Sequence, residues 1–182
     1  MHNCIETYTM NTDLCKQIVE WTLNNRKRLE HDRLRQYSWI PLPQVDDNLH
    51  QQYMTELDSC LDQYKLKYPT CWKNLNLFDA TEPRLQLYEP GDAYTHAHCE
   101  NDGVPWTVRR HLVYMTYLNT VDEGGGTEFS DWDLTTDCVQ GNTVIWPAGW
   151  QYYHRGIAAP SQRKMILTGW YVFRETTTAK PI

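Results

Sequence analysis

The chain has 182 residues, of which 41% are hydrophobic and 22% charged. This length and composition predict one globular, soluble domain with a sizeable core rather than a disordered segment. The formal net charge of −6, with no block of basic residues, argues against a protein built to bind nucleic acid phosphates. Eight tryptophans and twelve tyrosines make the chain unusually aromatic, and such side chains line both cores and ligand pockets.

Two amphipathic helices are predicted in the N-terminal part of the chain. The first begins near Thr12-Asp13 and carries Leu14 and Ile18 at helical spacing. The second spans about residues 46–67, where leucines and tyrosines repeat every three or four residues, and Pro69 ends it. We expect both helices, within about residues 1–70, to support a sheet by packing their apolar faces against it.

From Arg84 onward the sequence changes to short strand-like segments separated by turn clusters. The predicted strands are Arg84–Tyr88, Tyr94–Glu100, Arg109–Asn119, Gly126–Phe129, Asn142–Trp146 and Lys164–Phe173. So many short strands in one run favour two packed antiparallel sheets, a jelly roll or double-stranded β-helix, over about residues 84–173. Neither a repeat nor a linker interrupts the sequence. The prediction is therefore an α+β fold that forms a single domain over residues 1–182.

The histidine-rich segment before residue 100 offers candidate metal ligands. If it is extended, His96, His98 and Glu100 point to the same side, where a metal ion would compensate their polar groups. His154, which follows a Pro-Ala-Gly turn, is the candidate third ligand. Two histidines and one carboxylate form the facial triad that binds non-haem Fe(II) with open positions, whereas a fourth ligand from His96 would close a structural zinc site. A solvated edge strand without metal is a further interpretation of so short a motif.

Lys164 lies ten residues after His154 and begins a strand in which every second residue shares its face. An ammonium group among inward apolar residues needs an anion beside it, which favours an open site that also binds a carboxylate. The hydroxyl groups of Tyr88 and Tyr117 would suit the same anion. Alternatively, Lys164 reaches solvent from the end of the strand and both tyrosines are ordinary core residues.

Several motifs occur in a specific order along the second half of the chain. They are Tyr88-x-Pro90-Gly91, His98-x-Glu100, Tyr117-Leu118-Asn119, Gly124-Gly125-Gly126-Thr127-Glu128-Phe129, Gly141-x-x-x-x-Trp146-Pro147, His154-Arg155-Gly156 and Lys164-x-x-x-Thr168-x-Trp170. In this order, and with the ten-residue interval from His154 to Lys164, the chain resembles the Fe(II)/2-oxoglutarate-dependent oxygenases, in particular their prolyl 4-hydroxylase-like branch. The resemblance covers about residues 84–173, and the N-terminal helices match only in kind.

The resemblance implies a role for each matching residue. His98, Glu100 and His154 would bind iron as the catalytic metal triad. Lys164 would pair with the distal carboxylate of 2-oxoglutarate, with help from Tyr88 and Tyr117, and Thr168 and Trp170 would wall the same pocket. The implied cofactors are Fe(II), 2-oxoglutarate as co-substrate and O₂, with ascorbate as a candidate addition. The implied activity is that of a dioxygenase that hydroxylates an unactivated carbon.

Two features depart from the pattern of this branch. The usual middle ligand is Asp, and Glu100 takes its place here, so we expect iron binding with a shifted geometry. The interval between Gly91 and the first ligand is one residue longer than expected, which leaves His96-x-His98 as an alternative register. The His98-x-Glu100 register is preferred because Fe(II) triads use a carboxylate.

The implied substrate is a prolyl or similar residue of a peptide or protein, and a free amino acid or small metabolite is the alternative. A jelly-roll binding module with a structural metal is a non-enzymatic alternative. Residues 31–45 and 101–108 could form lids over the site. His96, Trp106 and Trp150 are candidate substrate contacts. Neither a nucleic acid nor a membrane is expected as a partner.

Six cysteines occur without a CxxC pair, so neither a zinc ribbon nor a redox dithiol is indicated. The N-terminal residues show no charged leader followed by an apolar run. The simplest expectation is a cytoplasmic protein with reduced thiols.

Overall fold

A computed structural model of the chain describes residues 3–73 and 75–175. The helices are α1 (Thr12–Asn24) and α2 (Asp47–Lys67). The strands are β1 (Glu6–Thr9), β2 (Glu30–Asp32), β3 (Tyr37–Pro41), β4 (Phe78–Ala80), β5 (Arg84–Tyr88), β6 (Arg110–Tyr117), β7 (Thr127–Phe129), β8 (Leu134–Thr136), β9 (Asn142–Pro147), β10 (Arg155–Gly156) and β11 (Lys164–Phe173).

The strands form two antiparallel sheets of unequal size. The 8-stranded sheet has the order β1-β9-β6-β11-β5-β3-β2, and β4 pairs with the far end of β11. The 3-stranded sheet has the order β10-β7-β8. Strand β11 pairs with β5 over Lys164–Thr168 and with β6 over most of its length, so it lies at the centre of the large sheet. The architecture is thus mostly antiparallel sheet with two helices.

Both helices begin at a side-chain cap and present an apolar face to the large sheet. The side-chain oxygen of Asn11 accepts hydrogen bonds from the first turn of α1, and that of Asp46 accepts one from the first turn of α2. The buried side chains of the two helices recur every three or four residues. They are Leu14, Cys15, Ile18 and Thr22 in α1, and Leu49, Tyr53, Leu57, Cys60, Leu61 and Tyr64 in α2.

The large sheet separates two hydrophobic clusters, and β11 contributes alternately to each. Met165 and Leu167 pack toward the helices. Ile166 packs on the opposite face, in a cluster shared with Phe129 of the small sheet and Trp146 of β9. Because successive side chains of a strand point to opposite faces, the residues that flank Ile166 at even positions also face the small sheet. This second face carries the candidate site.

The sequence prediction of both helices is confirmed, and five of the six predicted strands are confirmed with small changes at their ends. The predicted strand Tyr94–Glu100 is wrong. This segment forms only a single bridge, between His98 and His154, because neighbouring residues find isolated backbone partners instead of a continuous ladder. The short strands β1 to β4, β8 and β10 were not predicted, since two to five residues of mixed polarity carry little periodic signal.

Among the described residues, no helix combines the length and the apolar character needed to cross a membrane.

Candidate metal centre

The backbone joins the two histidine segments of the predicted triad. The amide of His98 donates to the carbonyl of His154 at 3.0 Å, and the amide of His154 donates to the carbonyl of His98 at 2.9 Å. This reciprocal pair places the two imidazole rings side by side, with centroids 4.4 Å apart. Residues 56 positions apart in sequence are therefore fixed to each other by backbone contacts that do not depend on their side chains.

Three ligand atoms converge beside this bridge. His98, Glu100 and His154 each offer one atom, and the three atoms lie within 4.8 Å of one another. Glu100 Oε1 lies 3.4 Å from His98 Nε2 and 3.7 Å from His154 Nε2. Within residues 3–73 and 75–175, no fourth histidine, cysteine or acidic residue joins this group. The donor set is that of an open facial site rather than a closed four-ligand zinc site.

The tautomer of both imidazoles is set by the backbone. His98 Nδ1 lies 2.9 Å from the carbonyl oxygen of His96, and His154 Nδ1 lies 2.9 Å from that of Tyr152. A carbonyl oxygen only accepts, so each Nδ1 carries the hydrogen and donates it. Nε2 of each ring, the atom that faces Glu100, is therefore the nitrogen that remains available to a metal ion. Such orientation of ligand histidines by a second hydrogen bond is common in metal sites.

The second carboxylate oxygen of Glu100 is fixed by hydrogen bonds. Glu100 Oε2 accepts hydrogen bonds from Arg110 Nη1 at 2.9 Å and from Trp170 Nε1 at 2.8 Å. Burial raises the pKa of Glu100, but the adjacent side chains of His154 and His98 outweigh it and keep the pKa well below its usual range. The carboxylate is therefore ionised, and its Oε1 is left for a metal. Two donors on Oε2 thus fix the orientation of the Glu100 carboxylate.

Replacing Trp170 by phenylalanine tests this orientation. The change removes the indole N–H that holds Glu100 Oε2, so we expect the affinity for Fe(II) to fall about tenfold, as for other residues that orient metal ligands. Anaerobic Fe(II) titration of the purified variant measures the effect. Trp72→Phe, at a half-exposed position outside the cavity, is the matched control. An unchanged Fe(II) affinity in Trp170→Phe would show that the indole does not position Glu100.

His96 does not belong to the converging group. Its side chain is exposed, and its backbone carbonyl supports His98. We therefore expect His96→Ala to retain Fe(II) at wild-type stoichiometry, because the hydrogen bond to His98 Nδ1 comes from the main chain. Metal analysis of the variant measures this directly. Loss of the metal would favour the alternative His96-x-His98 register.

A cavity of about 410 Å³ opens beside the three ligand atoms. Lys164 lines it and is only 3% exposed, with its ammonium nitrogen 4.7 Å from the ring centroid of Tyr88. No carboxylate of the described chain lies within 4.0 Å of that nitrogen. Burial lowers the pKa of Lys164 to about 8. A buried ammonium group facing a cavity without an acidic partner is suited to bind an anion.

The other residues predicted around 2-oxoglutarate divide into two groups. Tyr88, Thr168 and Trp170 line the cavity, and the Tyr88 hydroxyl donates to Gln86 Oε1 at 2.8 Å. Tyr117 is fully buried behind the wall, where its hydroxyl shares hydrogen bonds with Thr127 and Thr136. Thr127, and not Tyr117, reaches the cavity.

Of the three predicted substrate contacts, two line the cavity and one does not. His96 and Trp106 line the cavity, and Trp106 is 77% exposed at its rim. Trp150 is 69% exposed and is not part of the lining. Of the two predicted lid segments, residues 31–45 contribute Arg35 and Tyr37 to the wall. Residues 101–108 contribute Asp102 and Thr107 besides Trp106.

Sequence reasoning missed three arginines in the wall: Arg35, Arg84 and Arg110. Arg84 carried a usable signal, since it stands two and four residues before Gln86 and Tyr88 and so shares their face of β5. For Arg110, no comparable pattern in the sequence predicts a position in the wall. A register shift between β6 and β11 pairs Leu112 with Tyr171 but Arg110 with Val172, and this bulge turns Arg110 toward Glu100.

Comparison with known proteins relates this architecture to a group of enzymes. No family model matches the sequence, and no curated protein matches it. Solved structures do match. A Pseudomonas putida prolyl-4-hydroxylase superposes with a TM-score of 0.70 at 20% identity, covering 95% of this chain and 94% of that chain.

Two further solved structures of prolyl hydroxylases also superpose on this chain. The collagen prolyl hydroxylase of Paramecium Bursaria Chlorella virus-1, in its 2-oxoglutarate complex, has a TM-score of 0.67 at 15% identity, over 94% of this chain and 96% of that one. The Trichoplax adhaerens prolyl hydroxylase, in complex with a peptide fragment of the hypoxia-inducible factor oxygen degradation domain, has a TM-score of 0.71 at 15% identity, over 94% of this chain and 84% of that one.

The chain has the fold of the prolyl hydroxylases. At these identities the likeness concerns the fold alone, and it confirms the resemblance found in the motifs at that level. The prolyl hydroxylase fold extends over the N-terminal helices as well, which the motifs matched only in kind.

Proposed function

We propose that this protein is an Fe(II)- and 2-oxoglutarate-dependent dioxygenase that hydroxylates an unactivated carbon, with a prolyl or similar residue of a peptide as its substrate. The observation that carries the proposal is the convergence of His98, Glu100 and His154 at a cavity that also contains Lys164, which has no acidic partner among the described residues. In this proposal residues 1–182 form one oxygenase domain, and the two sheets that face each other across the cavity are the jelly-roll, or double-stranded β-helix, core.

The three converging donors fit Fe(II). Two neutral imidazole nitrogens and one ionised carboxylate oxygen would hold the ion on one side and leave its other positions open. Bound Fe(II), together with 2-oxoglutarate and O₂, supplies the oxidation that replaces C–H by C–OH. The protein contributes position: backbone carbonyls orient both histidines, and Arg110 and Trp170 orient the carboxylate.

Lys164 and Tyr88 would bind 2-oxoglutarate. The ammonium group would pair with the distal carboxylate, and burial would strengthen that pair by excluding water. Tyr88 places its ring against the ammonium group while its hydroxyl is occupied by Gln86, which fixes the ring. The role of Tyr117 would be to support Thr127 from behind the wall, and a need for ascorbate stays a prediction.

The structural neighbours support a peptide as the primary substrate. The Trichoplax enzyme is bound to a peptide fragment, and the viral enzyme is a collagen prolyl hydroxylase. A cavity of about 410 Å³ would admit one side chain of a peptide together with 2-oxoglutarate. The exposed rim residues His96 and Trp106 would then contact the residues that flank the target.

Metal analysis and a succinate assay together test the proposal. Protein reconstituted anaerobically with Fe(II) is expected to bind one ion per chain and, on exposure to O₂, to convert 2-oxoglutarate to succinate. Stoichiometric zinc in the protein as isolated, with no succinate formed after iron loading, would instead favour a binding module with a structural metal.

The affinity for 2-oxoglutarate is expected to depend on pH through Lys164. Its pKa is lowered by burial to about 8, so the ammonium group is charged below that pH and loses its proton above it. Affinity should therefore be highest below pH 8 and fall above it by up to about tenfold per pH unit. Burial raises the pKa values of Tyr88, whose ring lies beside the ammonium group, and of Cys138, so neither side chain titrates in this range.

Anaerobic equilibrium titration with 2-oxoglutarate at several pH values measures this dependence. Lys164→Arg is the control, because a guanidinium group stays charged throughout. A decline that is the same in both proteins would assign the pH dependence to another group.

A further inference from the structure

The cavity lining has more cationic than anionic side chains, although the chain as a whole is acidic. Four cationic side chains line it against two carboxylates, although the net charge of the chain is −6. The cationic residues are Arg35, Arg84, Arg110 and Lys164, and the carboxylates belong to Glu100 and Asp102. A cleft lined mainly by one sign of charge attracts ligands of the opposite sign. Lys164 would bind one anion, the distal carboxylate of 2-oxoglutarate. The positive charge of the three arginines needs a separate explanation.

Arg84 and Lys164 lie at opposite ends of the cavity. In the ladder between β5 and β11, Lys164 pairs with Tyr88, whereas Arg84 pairs with Thr168. Four residues along a strand correspond to about 13 Å. Trp170, one step beyond Thr168 on the same face, donates to Glu100 and so places the metal ligands at the Arg84 end. The anion bound by Lys164 is therefore not available to Arg84.

Arg84 is an exposed residue whose guanidinium group lies near two indole rings and has no acidic partner among the described residues. It lies 5.2 Å from the ring centroid of Trp39 and 5.4 Å from that of Trp170. No carboxylate in the described ranges 3–73 and 75–175 comes within 4.0 Å of it. Two indole rings limit the freedom of the side chain and leave the edge of its planar group free to donate.

The other two arginines differ from Arg84 because each already pairs with a carboxylate. Arg110 donates to Glu100, and Arg35 donates to Asp32 at 2.8 Å. Arg35 nevertheless lies 5.8 Å from the ring centroid of Tyr94, whose ring in turn packs at 4.6 Å on that of the ligand His98. It adds positive charge to the wall near the metal ligands. Arg84 is thus the arginine of the wall that has no carboxylate partner among the described residues.

We infer that Arg84 binds a carboxylate of the primary substrate and thereby selects the substrates that carry one. This inference rests on the proposed function, since it concerns the substrate of that same site. The planar guanidinium group matches a carboxylate with two parallel hydrogen bonds. The carboxylate comes from an Asp or Glu side chain beside the target residue of a peptide, or from the α-carboxylate of a free amino acid.

Two degenerate peptide libraries with a central proline test the inference without knowledge of the natural sequence. They differ only in that one has Asp and Glu at the flanking positions and the other has Asn and Gln. Hydroxylation is measured by mass spectrometry, and binding to the anaerobic protein loaded with Fe(II) and 2-oxoglutarate by fluorescence anisotropy of labelled libraries. We expect the acidic library to be favoured about tenfold in both measurements, as one charge-assisted pair would give. Free L-proline and L-prolinamide form a second pair of probes that identifies a free amino acid as the source.

Variants of Arg84 make the test specific. Arg84→Gln is expected to reduce the preference for the acidic library to less than about twofold, and Arg84→Glu to reverse it toward a library with Lys and Arg. Lys27→Gln changes the net charge equally at an exposed position outside the cavity and outside both predicted lid segments, and it should keep the preference. A preference for L-proline over its amide that depends on Arg84 also supports the inference.

Equal treatment of acidic and amide probes by the wild-type protein, binding of neither, or the same loss in Lys27→Gln would overturn the inference. These results differ from a failure of the proposed function. In that case the protein would not bind Fe(II) and 2-oxoglutarate at all, which metal analysis and 2-oxoglutarate titration show without any peptide.

Discussion

Replacing His154 by alanine is expected to abolish Fe(II) binding and 2-oxoglutarate turnover together. His154 is 6% exposed, and its Nε2 is one of three converging ligand atoms. Two remaining donors hold a labile divalent ion poorly, and ligand substitutions of this kind remove most of the affinity. The backbone bridge to His98 is made by main-chain atoms, so the fold around the site should persist. The loss would then be local.

Anaerobic Fe(II) titration, followed by a succinate assay, measures both effects. His98→Ala should behave in the same way, because its Nε2 and that of His154 flank the same Glu100 oxygen. His50→Ala on α2 is the control and should bind iron normally, since His50 is remote from the ligand group. Wild-type succinate production in either His98→Ala or His154→Ala would remove that residue from the triad.

The part of the site that sequence reasoning found is the part that local spacing determines. His98-x-Glu100 puts a ring and a carboxylate on one side of the chain even though the segment is not a strand. The alternation along β11 correctly placed Lys164, Thr168 and Trp170 on the cavity face. Both signals have a range of a few residues, and both survive errors in the prediction of neighbouring elements.

What the sequence could not show depends on the register between distant strands. The face of Arg110 was unpredictable because the bulge opposite Tyr171 changes the alternation, and nothing near Arg110 in the sequence encodes its partner. Because of the same bulge, His111 points away from the cavity. Its Nε2 lies 2.6 Å from the carbonyl oxygen of Cys71. Tyr117 shows a second limit of sequence prediction. A side chain on the correct face of the sheet can still be buried behind the residues that line the cavity.

Replacing Lys164 by alanine is expected to raise the dissociation constant for 2-oxoglutarate about ten- to a hundredfold while the Fe(II) content stays at the wild-type level. A hydrogen-bonded charge pair contributes about 1.5–3 kcal/mol, and more when it is buried. Lys164 makes no hydrogen bond to the ligand residues, so metal binding has no reason to change. Titration of the iron-loaded protein with 2-oxoglutarate under anaerobic conditions measures the dissociation constant. Unchanged affinity would mean that the lysine does not bind the co-substrate.

A stability measurement separates this binding role from a structural one. The folded-state pKa of Lys164, about 8, lies below the usual value of 10.5, so burial makes the charged form unfavourable in the ligand-free protein. The unfolded chain then binds more protons between these two values, and the free energy of unfolding should rise with pH across this range. Lys164→Met keeps most of the side-chain volume without the charge. It should be at least as stable as the wild type at pH 7 without 2-oxoglutarate, and it should gain less stability when the co-substrate is added.

A lysine that only supported the core would give the opposite result, with Lys164→Met less stable in the absence of co-substrate and equally stabilised in its presence. Thermal unfolding of the iron-loaded protein, with and without 2-oxoglutarate and under anaerobic conditions, distinguishes the two cases. The buried ammonium group lowers the stability of the empty protein because no acidic side chain of the described residues compensates it. A 2-oxoglutarate carboxylate bound beside the ammonium group would offset that cost, and the stabilisation by co-substrate measures this effect directly.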